Sequence, residues 1–178
     1  MSRWVALLRG VNVNGITVRS ADLAQLFTDL SFTDVRTVLA SGNVCFETET
    51  DGHDPDRAAL KSRIEAGLRE RFGYDAWIVL VAYSALAEII ESYPFESDAE
   101  HHAYVIFAST EQAREQLLAV SSGHEEAGGE QAAAGEGVVY WRCPKGASTD
   151  TPFSKHLAKA RFKPTTTTRN INTLRKLL

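Results

Sequence analysis

The hydrophobic pattern of the first fifty residues indicates a strand, a helix and a hairpin. Residues 4–8 are continuously apolar, as expected for a strand that is covered on both faces. After a polar loop, Ser20 is predicted to cap a helix. The apolar side chains of this helix recur at positions i, i+3, i+4 and i+7: Leu23, Leu26, Phe27 and Leu30. Two β-rich runs follow, residues 35–39 and 44–48, and the Gly-Asn pair between them indicates a hairpin turn.

A second helix and a fourth strand complete this half of the chain. Asp54-Pro55 combines a capping residue with proline at the first helical position, which predicts a helix start. One face of the following segment stays apolar until Gly73 stops the helix, and residues 76–81 form another apolar strand. The resulting order βαββαβ is that of the ferredoxin-like fold.

The second half begins with a connector. A helix is predicted over residues 84–91, and Pro94 with the acidic residues after it marks a boundary. A strand at residues 103–108 and a helix that starts at Ser109-Thr110 come next. Two further strands, residues 128–134 and 138–143, form a hairpin.

The end of the chain completes a second βαββαβ unit. Thr151-Pro152 predicts a helix that runs to about residue 160, and residues 165–168 form a β-branched strand. A last short helix is predicted to start near Asn170 or Asn172. We therefore predict an α+β fold of two ferredoxin-like subdomains packed together, with a linking helix and a C-terminal helix. The predicted subdomains are residues 1–82 and 101–178, and residues 83–100 form the linking helix and connector.

The apolar strands also predict how the sheets are covered. Helices cover only one face of a single ferredoxin-like sheet, so its strands should alternate between apolar and polar residues. Residues 4–8 and 76–81 do not alternate. We expect the second face to be covered by the other half of the chain or, alternatively, by a second copy in a homodimer.

Composition narrows the class of protein. Apolar residues make up 44% of the 178 residues and charged residues 24%, as in ordinary globular proteins. No apolar run approaches the roughly 20 residues of a transmembrane helix, and we expect neither a signal peptide nor a membrane partner. Cys45 and Cys143 are too few for a disulfide framework, which favours a reducing, cytoplasmic location.

Charge is distributed unevenly. Residues 138–178 contain nine Lys or Arg side chains and one acid, a formal +8, whereas the other 137 residues contain ten basic and 22 acidic side chains, a formal −12. A basic region of this kind could attract an anionic ligand or nucleic acid. The alternative is that it neutralises the acidic remainder of the same chain.

Four segments spread over residues 4–177 resemble one protein family. They are WVALLRGVNVNG, FTDVRTVLASGNVCFE, YWRCPKG followed by FSK, and TTRNINTLRKL. Together they resemble the uncharacterised, mostly bacterial family numbered 1697 among the domains of unknown function. The resemblance implies two ferredoxin-like subdomains, and it implies no reaction and no ligand.

The loop LLRGVNVNG is the first candidate site. Gly10 and Gly15 are spaced as in a P-loop, but Ile16-Thr17 stands where Lys-Ser or Lys-Thr would follow, and the spacing does not match a dinucleotide loop. Asparagines in such a loop can bond the local backbone, so a purely structural role competes with contact to a small anion. In the hairpin, a tight turn explains Ser41-Gly42-Asn43 better than a nucleophilic serine does, because the G-x-S-x-G elbow is absent.

The segment RNIN is the second candidate site. It combines the guanidinium of Arg169 with two side-chain amides at a predicted helix start, and both arginine and helix N-termini favour anions. The alternative is an asparagine cap with Arg169 paired to an acidic side chain. We hypothesise that the first strand's end, the hairpin and this helix start converge on one anion site. Its residues would be Arg9, Asn12, Asn14, Ser41, Asn43, Lys155, Arg169, Asn170 and Asn172.

These residues predict a binding module for an anionic ligand, which would be a nucleotide, a phosphorylated metabolite or nucleic acid. Two alternatives remain open: an interaction protein that acts through an oligomer interface, and an enzyme on a phosphorylated small molecule. The sequence offers no catalytic base for the second. We expect no cofactor and no metal, because the five histidines show neither an i, i+4 pair nor a C-x-x-C partner.

Overall fold

The computed structural model describes residues 1–11, 15–40, 42–49, 56–121 and 129–178, which form two compact units. Unit 1 comprises Met1–Ala87 together with Lys176–Leu178, and unit 2 comprises Glu88–Arg175. The described residues contain two four-stranded antiparallel sheets and six α-helices, so the fold is α+β. The predicted subdomain bounds at residues 82 and 100 remain predictions, because compactness does not test which segments fold independently.

Unit 1 follows the predicted order of elements. It contains β1 (Ser2–Arg9), α1 (Ser20–Asp29), β2 (Thr33–Val38), β3 (Asn43–Thr48), α2 (Arg57–Phe72), β4 (Trp77–Ala82) and the start of α3 (Tyr83–Glu91). Its strands lie in the order β2-β3-β1-β4, and all neighbours are antiparallel. The strand bounds differ from the predicted ones by no more than two residues.

One predicted helix cap is wrong, and a second lies outside the described residues. Ser20 is the first residue of α1, and the preceding Arg19 makes no capping hydrogen bond, so the prediction that Ser20 caps this helix is wrong. Asp56 caps α2, because its Oδ1 accepts a hydrogen bond from the backbone N–H of Ala58 at 2.9 Å. The predicted cap at Asp54-Pro55 lies outside the described residues.

Strand β1 of the unit 1 sheet is buried on both faces. Trp4, Ala6 and Leu8 of β1 belong to the core that also contains the apolar side chains of α1 and α2. The alternate residues Val5 and Leu7 have no exposed surface either. Residues 4–8 are therefore buried on both sides of the sheet, as a continuous apolar run predicts.

Unit 2 repeats the order of strands and helices. After α3 it contains β5 (His101–Ala108), α4 (Glu111–Ser121), β6 (Gln131–Ala134), β7 (Val138–Pro144), α5 (Pro152–Leu157), β8 (Thr166–Asn170) and α6 (Ile171–Arg175). Its sheet has the order β6-β7-β5-β8. The Oγ1 of Thr151 accepts from the N–H of Ser154 and caps α5, as the Thr-Pro pair predicts. This helix ends at Leu157, and a 3-10 turn at Ala160–Phe162 follows where the sequence predicts continued helix.

A buried carboxylate connects β7 to α5 in unit 2. Glu130 is 3% exposed, and its Oε2 accepts from the indole N–H of Trp141 at 3.0 Å. Its Oε1 accepts from the backbone N–H of Phe153 at 3.1 Å. One side chain therefore satisfies two buried donors on different elements.

Among the described residues, no helix is both long enough and apolar enough to cross a membrane.

Candidate anion-binding site

One end of the unit 2 sheet carries a cleft of about 340 Å³. Strands β7 and β8 both run antiparallel to β5, so their ends lie beside the start of β5. Polar residues at these three strand ends, together with the connector after α3, form the cleft. We call it the basic cleft, and it is lined by Tyr93, Glu96, Ser97, Asp98, His101, His102, Ala103, Arg142, Lys145, Asn170, Ile171, Asn172 and Arg175.

The charges of the basic cleft favour an anion. Arg142, Lys145 and Arg175 supply three permanent positive charges, and two carboxylates oppose them, which leaves a formal +1 when the histidines are neutral. A cleft of one predominant charge sign raises the local concentration of ligands of the opposite sign.

Asp98 holds the side chains of Arg142 and His101 in place. Its carboxylate accepts hydrogen bonds from Arg142 Nη2 and from His101 Nδ1, the latter at 2.9 Å. The backbone N–H groups of Glu100 and His101 donate to the same carboxylate, each at 2.8 Å. The hydrogen bond from the His101 ring, followed by that from Arg142, holds the pKa of Asp98 well below its usual range. Asp98 therefore stays ionised and fixes the orientation of Arg142.

Two asparagines organise the opposite wall. The Oδ1 of Asn170 accepts from the backbone N–H of Asn172 at 2.9 Å, so Asn170 caps the short helix α6. The Oδ1 of Asn172 accepts from Arg175 Nη1 at 2.8 Å. This hydrogen bond orients the Arg175 guanidinium, which lines the cleft.

The cleft also contains polar atoms that make no hydrogen bond within the described part of the chain. The hydroxyl of Tyr93 and the Nε of Arg142 are buried, and neither makes a hydrogen bond with any residue that the structure describes. Burial raises the pKa of Tyr93 to about 12, so its hydroxyl stays protonated and can donate. Buried donors of this kind normally have a partner, which a ligand in the cleft would supply.

The predicted residues of unit 2 do not all reach the basic cleft. Asn170 and Asn172 line it, whereas Lys155 is exposed on α5 and is not part of the lining. Arg169 is 7% exposed, and its Nη1 donates to Thr167 Oγ1 at 2.8 Å and to the carbonyl of Thr168 at 3.0 Å. Successive strand residues point to opposite faces, so Arg169 lies on the other side of β8 from Asn170. Burial lowers the pKa of Arg169 to about 10.

Arg9 and Asn43, the predicted residues of unit 1 that the structure describes, lie at one end of its sheet. Arg9 ends β1 opposite Trp77, and burial lowers the pKa of its guanidinium. Asn43 begins β3, is fully buried, and donates from Nδ2 to the carbonyl of Val38 at 2.8 Å, which closes the hairpin turn. Asn12, Asn14 and Ser41 lie outside the described residues. The convergence of these residues with those of unit 2 stays a prediction.

Sequence reasoning did not select several residues of the basic cleft. Arg142, Lys145 and Arg175 belong to the basic region that was recognised as a whole, but nothing local distinguishes them from its other cations. The signal that could have found them is the antiparallel strand order, which brings the ends of β7 and β8 beside His101. No group of three His, Cys, Asp or Glu side chains that could hold a metal ion occurs among the described residues.

Comparisons with known proteins identify a family and a fold. The family model described as "Protein of unknown function (DUF1697)" matches residues 1–140. The structure is similar to that of the conserved bacterial protein SP0830 from Streptococcus pneumoniae, with a TM-score of 0.78 and 24% sequence identity over 99% of this chain and 96% of that one. A structure of an unknown protein from Galdieria sulphuraria gives a TM-score of 0.28 and 13% identity over 95% of this chain and 96% of that one, which is too low to support an argument. No curated protein matches the chain.

Proposed function

Since the chain belongs to the DUF1697 family of proteins of unknown function, which assigns it no activity, we propose a function from its own residues: binding of a small phosphorylated ligand in the basic cleft. The observation that carries this proposal is the arrangement of Arg142, Lys145 and Arg175 around one cleft. Phosphate oxygens accept the bidentate hydrogen bonds that arginine offers, and lysine adds a point charge.

The size of the cleft favours a small ligand. Its volume of about 340 Å³ lies at the lower end of the roughly 300–1,000 Å³ typical of small-molecule sites. A phosphorylated metabolite or a mononucleotide fits this volume better than a nucleic acid, which needs an extended basic surface. The hydroxyl of Tyr93 and the side-chain amides of Asn170 and Asn172 would add hydrogen bonds to the rest of the ligand.

A binding screen tests the proposal directly. Inorganic phosphate, pyrophosphate, mononucleotides, sugar phosphates and a short RNA are added to the whole protein, and the melting temperature is measured. A ligand at a hundredfold excess over its dissociation constant stabilises the folded state by about 2.7 kcal/mol. No stabilisation by any phosphorylated compound would refute the proposal and favour an interaction protein, whereas stabilisation by the RNA alone would favour nucleic-acid binding.

Charge variants of opposite sign locate the site. Arg142→Gln and Arg175→Gln each remove one positive charge from the cleft and should weaken binding of the best compound about tenfold or more. Asp98→Asn removes a negative charge and should strengthen it. Arg161→Gln is the control, because Arg161 belongs to the same unit, stacks on Phe162 and does not line the cleft. Equal affinities for all four variants would place the ligand elsewhere.

The other residues of the predicted anion site are tested with the same compound. Arg9→Gln and Asn43→Ala test whether unit 1 contributes, and Lys155→Gln and Arg169→Gln test the other unit 2 residues. If Arg9→Gln leaves the affinity of the best compound unchanged while Arg142→Gln lowers it, the site is confined to unit 2.

Cys45 and Cys143 are both free thiols, which supports the cytoplasmic location that the proposal assumes.

A ferredoxin-like fold for each unit is also part of the proposal. The strand orders β2-β3-β1-β4 and β6-β7-β5-β8 support it, because each unit follows the chain order βαββαβ with an antiparallel sheet. A crystal structure with another strand order in either unit would refute it.

A further inference from the structure

A second cleft lies in unit 1, and none of the described residues that line it belongs to the predicted anion site. The start of β1 and the end of β4 are neighbours in the sheet, where Trp4 pairs with Ala82, and the cleft of about 590 Å³ opens beside them. Four of its lining residues have cationic or aromatic side chains: Arg3, Trp4, Arg57 and Tyr83. We call it the arginine–aromatic cleft.

Each arginine of this cleft is placed over an aromatic ring. The Cζ of Arg3 lies 4.0 Å from the centre of the Tyr83 ring, and the Cζ of Arg57 lies 5.4 Å from the centre of the Trp4 ring. Stacking of this kind restricts the guanidinium while leaving its N–H groups available for an anion. The Tyr83 ring is itself held, because its hydroxyl donates to the carbonyl of Leu178 at 2.9 Å.

The arginine–aromatic cleft carries positive charge. Arg3 and Arg57 contribute two charges, and no acidic side chain is found among the described residues that line it. The carboxylate that pairs with Arg3 is that of Asp34, which lies outside the lining and 3.6 Å from Arg3 Nη2. Two guanidinium groups therefore line this cleft, and Asp34 offsets part of the charge of Arg3.

Two buried donors that line the cleft, on Arg3 and Trp4, make no hydrogen bond with the residues that the structure describes. Trp4 is only 6% exposed, and its indole Nε1 makes no hydrogen bond within the part of the chain that the structure describes. The Nε of Arg3 is likewise buried and makes none there. A buried N–H without an acceptor is costly, and a ligand that accepts hydrogen bonds at this end of the sheet would relieve that cost.

We propose that the arginine–aromatic cleft binds a nucleotide. The guanidinium forks of Arg3 and Arg57 match phosphate oxygens in a bidentate geometry. Nucleobases stack on arginine planes and on aromatic side chains, and the Trp4 indole N–H can donate to a ring nitrogen or a carbonyl of the base. The volume lies within the range of small-molecule sites. This inference does not rest on the basic cleft, since the two clefts share no residue.

The tryptophan indoles provide the readout. The chain has three tryptophans, so a spectrum of the whole protein labelled with nitrogen-15 shows three indole signals, and Trp4→Phe identifies that of Trp4. Titration with adenosine monophosphate should move the Trp4 signal. The Trp141 signal should stay in place, because that indole already donates to buried Glu130. No movement of the Trp4 signal at millimolar nucleotide would overturn the proposal.

Variants and simpler probes separate the contributions. Arg3→Gln and Arg57→Gln should each weaken adenosine monophosphate binding at least tenfold, whereas Arg71→Gln, on the same unit and paired with Asp29, should not change it. Adenosine and inorganic phosphate should each bind at least tenfold more weakly than the nucleotide. If adenosine binds as tightly as the nucleotide, the phosphate plays no part in binding. If inorganic phosphate binds as tightly, the base plays no part. Loss of the Trp4 response in Arg142→Gln would assign the nucleotide to the basic cleft and overturn this site.

Discussion

Arg36 on β2 donates a hydrogen bond from Nη2 to the carbonyl oxygen of Leu177, at 2.6 Å and across 141 residues of sequence. Leu177 is fully buried, and the next residue accepts a hydrogen bond from Tyr83. The last three residues therefore belong to unit 1, although the segment that precedes them belongs to unit 2. The stability of unit 1 consequently depends on residues from both ends of the chain.

Replacement of Arg36 by methionine should destabilise unit 1. The variant retains the apolar stem of the side chain but leaves the carbonyl of Leu177 without its charged donor, which should lower the free energy of unfolding by about 1–2 kcal/mol. Urea denaturation followed by circular dichroism measures the change. Arg19→Met is the matched control, because the Arg19 side chain is 77% exposed and pairs only locally with Asp22. An equal midpoint for the two variants would contradict the prediction.

Local elements could be predicted because their signals lie within about ten residues. The i, i+3, i+4, i+7 spacing in α1 arises because one face of the helix is buried. The apolar run of β1 arises because both faces of the strand are buried. Both elements are present in the structure. The predicted cap of α1 is wrong by one residue. Arg19 and Ser20 are both polar, so polarity alone does not show which of them precedes the first helical residue. The contact between Arg36 and Leu177 has no local signal, since it depends on how distant segments pack.

Gly42 should tolerate alanine much less than Gly73 does. Both glycines have positive φ, 76° and 69°, so alanine at either position costs about 1 kcal/mol in backbone strain. At Gly42 a Cβ would also lie 2.7 Å from Val11 Cγ2 and 2.8 Å from Leu8 Cβ, whereas nothing lies within 4 Å at Gly73. We expect Gly42→Ala to lose about 1–3 kcal/mol more than Gly73→Ala, because overpacking adds to the strain.

Thermal denaturation of the two glycine variants checks this difference. A similar loss in both would mean that the hairpin turn relaxes away from Leu8 and Val11. The comparison also tests the interpretation of Ser41-Gly42-Asn43 as a tight turn. A turn that needs glycine because other atoms approach it closely has a structural role.

The candidate site was only partly predictable from sequence. Asn170 and Asn172 were selected because two amides and a helix start stand together, and both line the basic cleft. Arg169 was selected with them, but strand alternation places its side chain on the other face, which a loop interpretation of the segment does not anticipate. Tyr93 and Arg142 come from distant segments, and only the strand pairing brings them to the same end of the sheet.

Asp98→Asn should reduce stability at neutral pH and leave it unchanged in acid. The folded pKa of Asp98 lies below the unfolded value of about 3.9, so the folded state favours the ionised carboxylate. Its contribution is therefore fully present above the unfolded pKa and is lost as the pH falls through the folded pKa. The stability difference between wild type and variant should be largest near pH 7 and shrink below about pH 4.

Urea denaturation at a series of pH values between 7 and 2 measures this dependence. Asp75→Asn serves as the comparison, since Asp75 is an exposed carboxylate of unit 1 that pairs with one arginine only. A stability difference for Asp98→Asn that does not change with pH would show that the variant acts through packing and not through charge. The same variant should bind phosphorylated compounds more tightly, so stability and affinity change in opposite directions.

Glu130→Ala should be among the most destabilising substitutions in unit 2. It leaves the indole N–H of Trp141 and the backbone N–H of Phe153 buried without an acceptor, and each unsatisfied donor costs about 1–3 kcal/mol. Glu130→Gln retains one acceptor oxygen and should lose roughly half as much, because only one of the two donors remains unpaired. Urea denaturation monitored by tryptophan fluorescence measures both values. If alanine and glutamine cost the same, the carboxylate would contribute through its charge and not through the two hydrogen bonds.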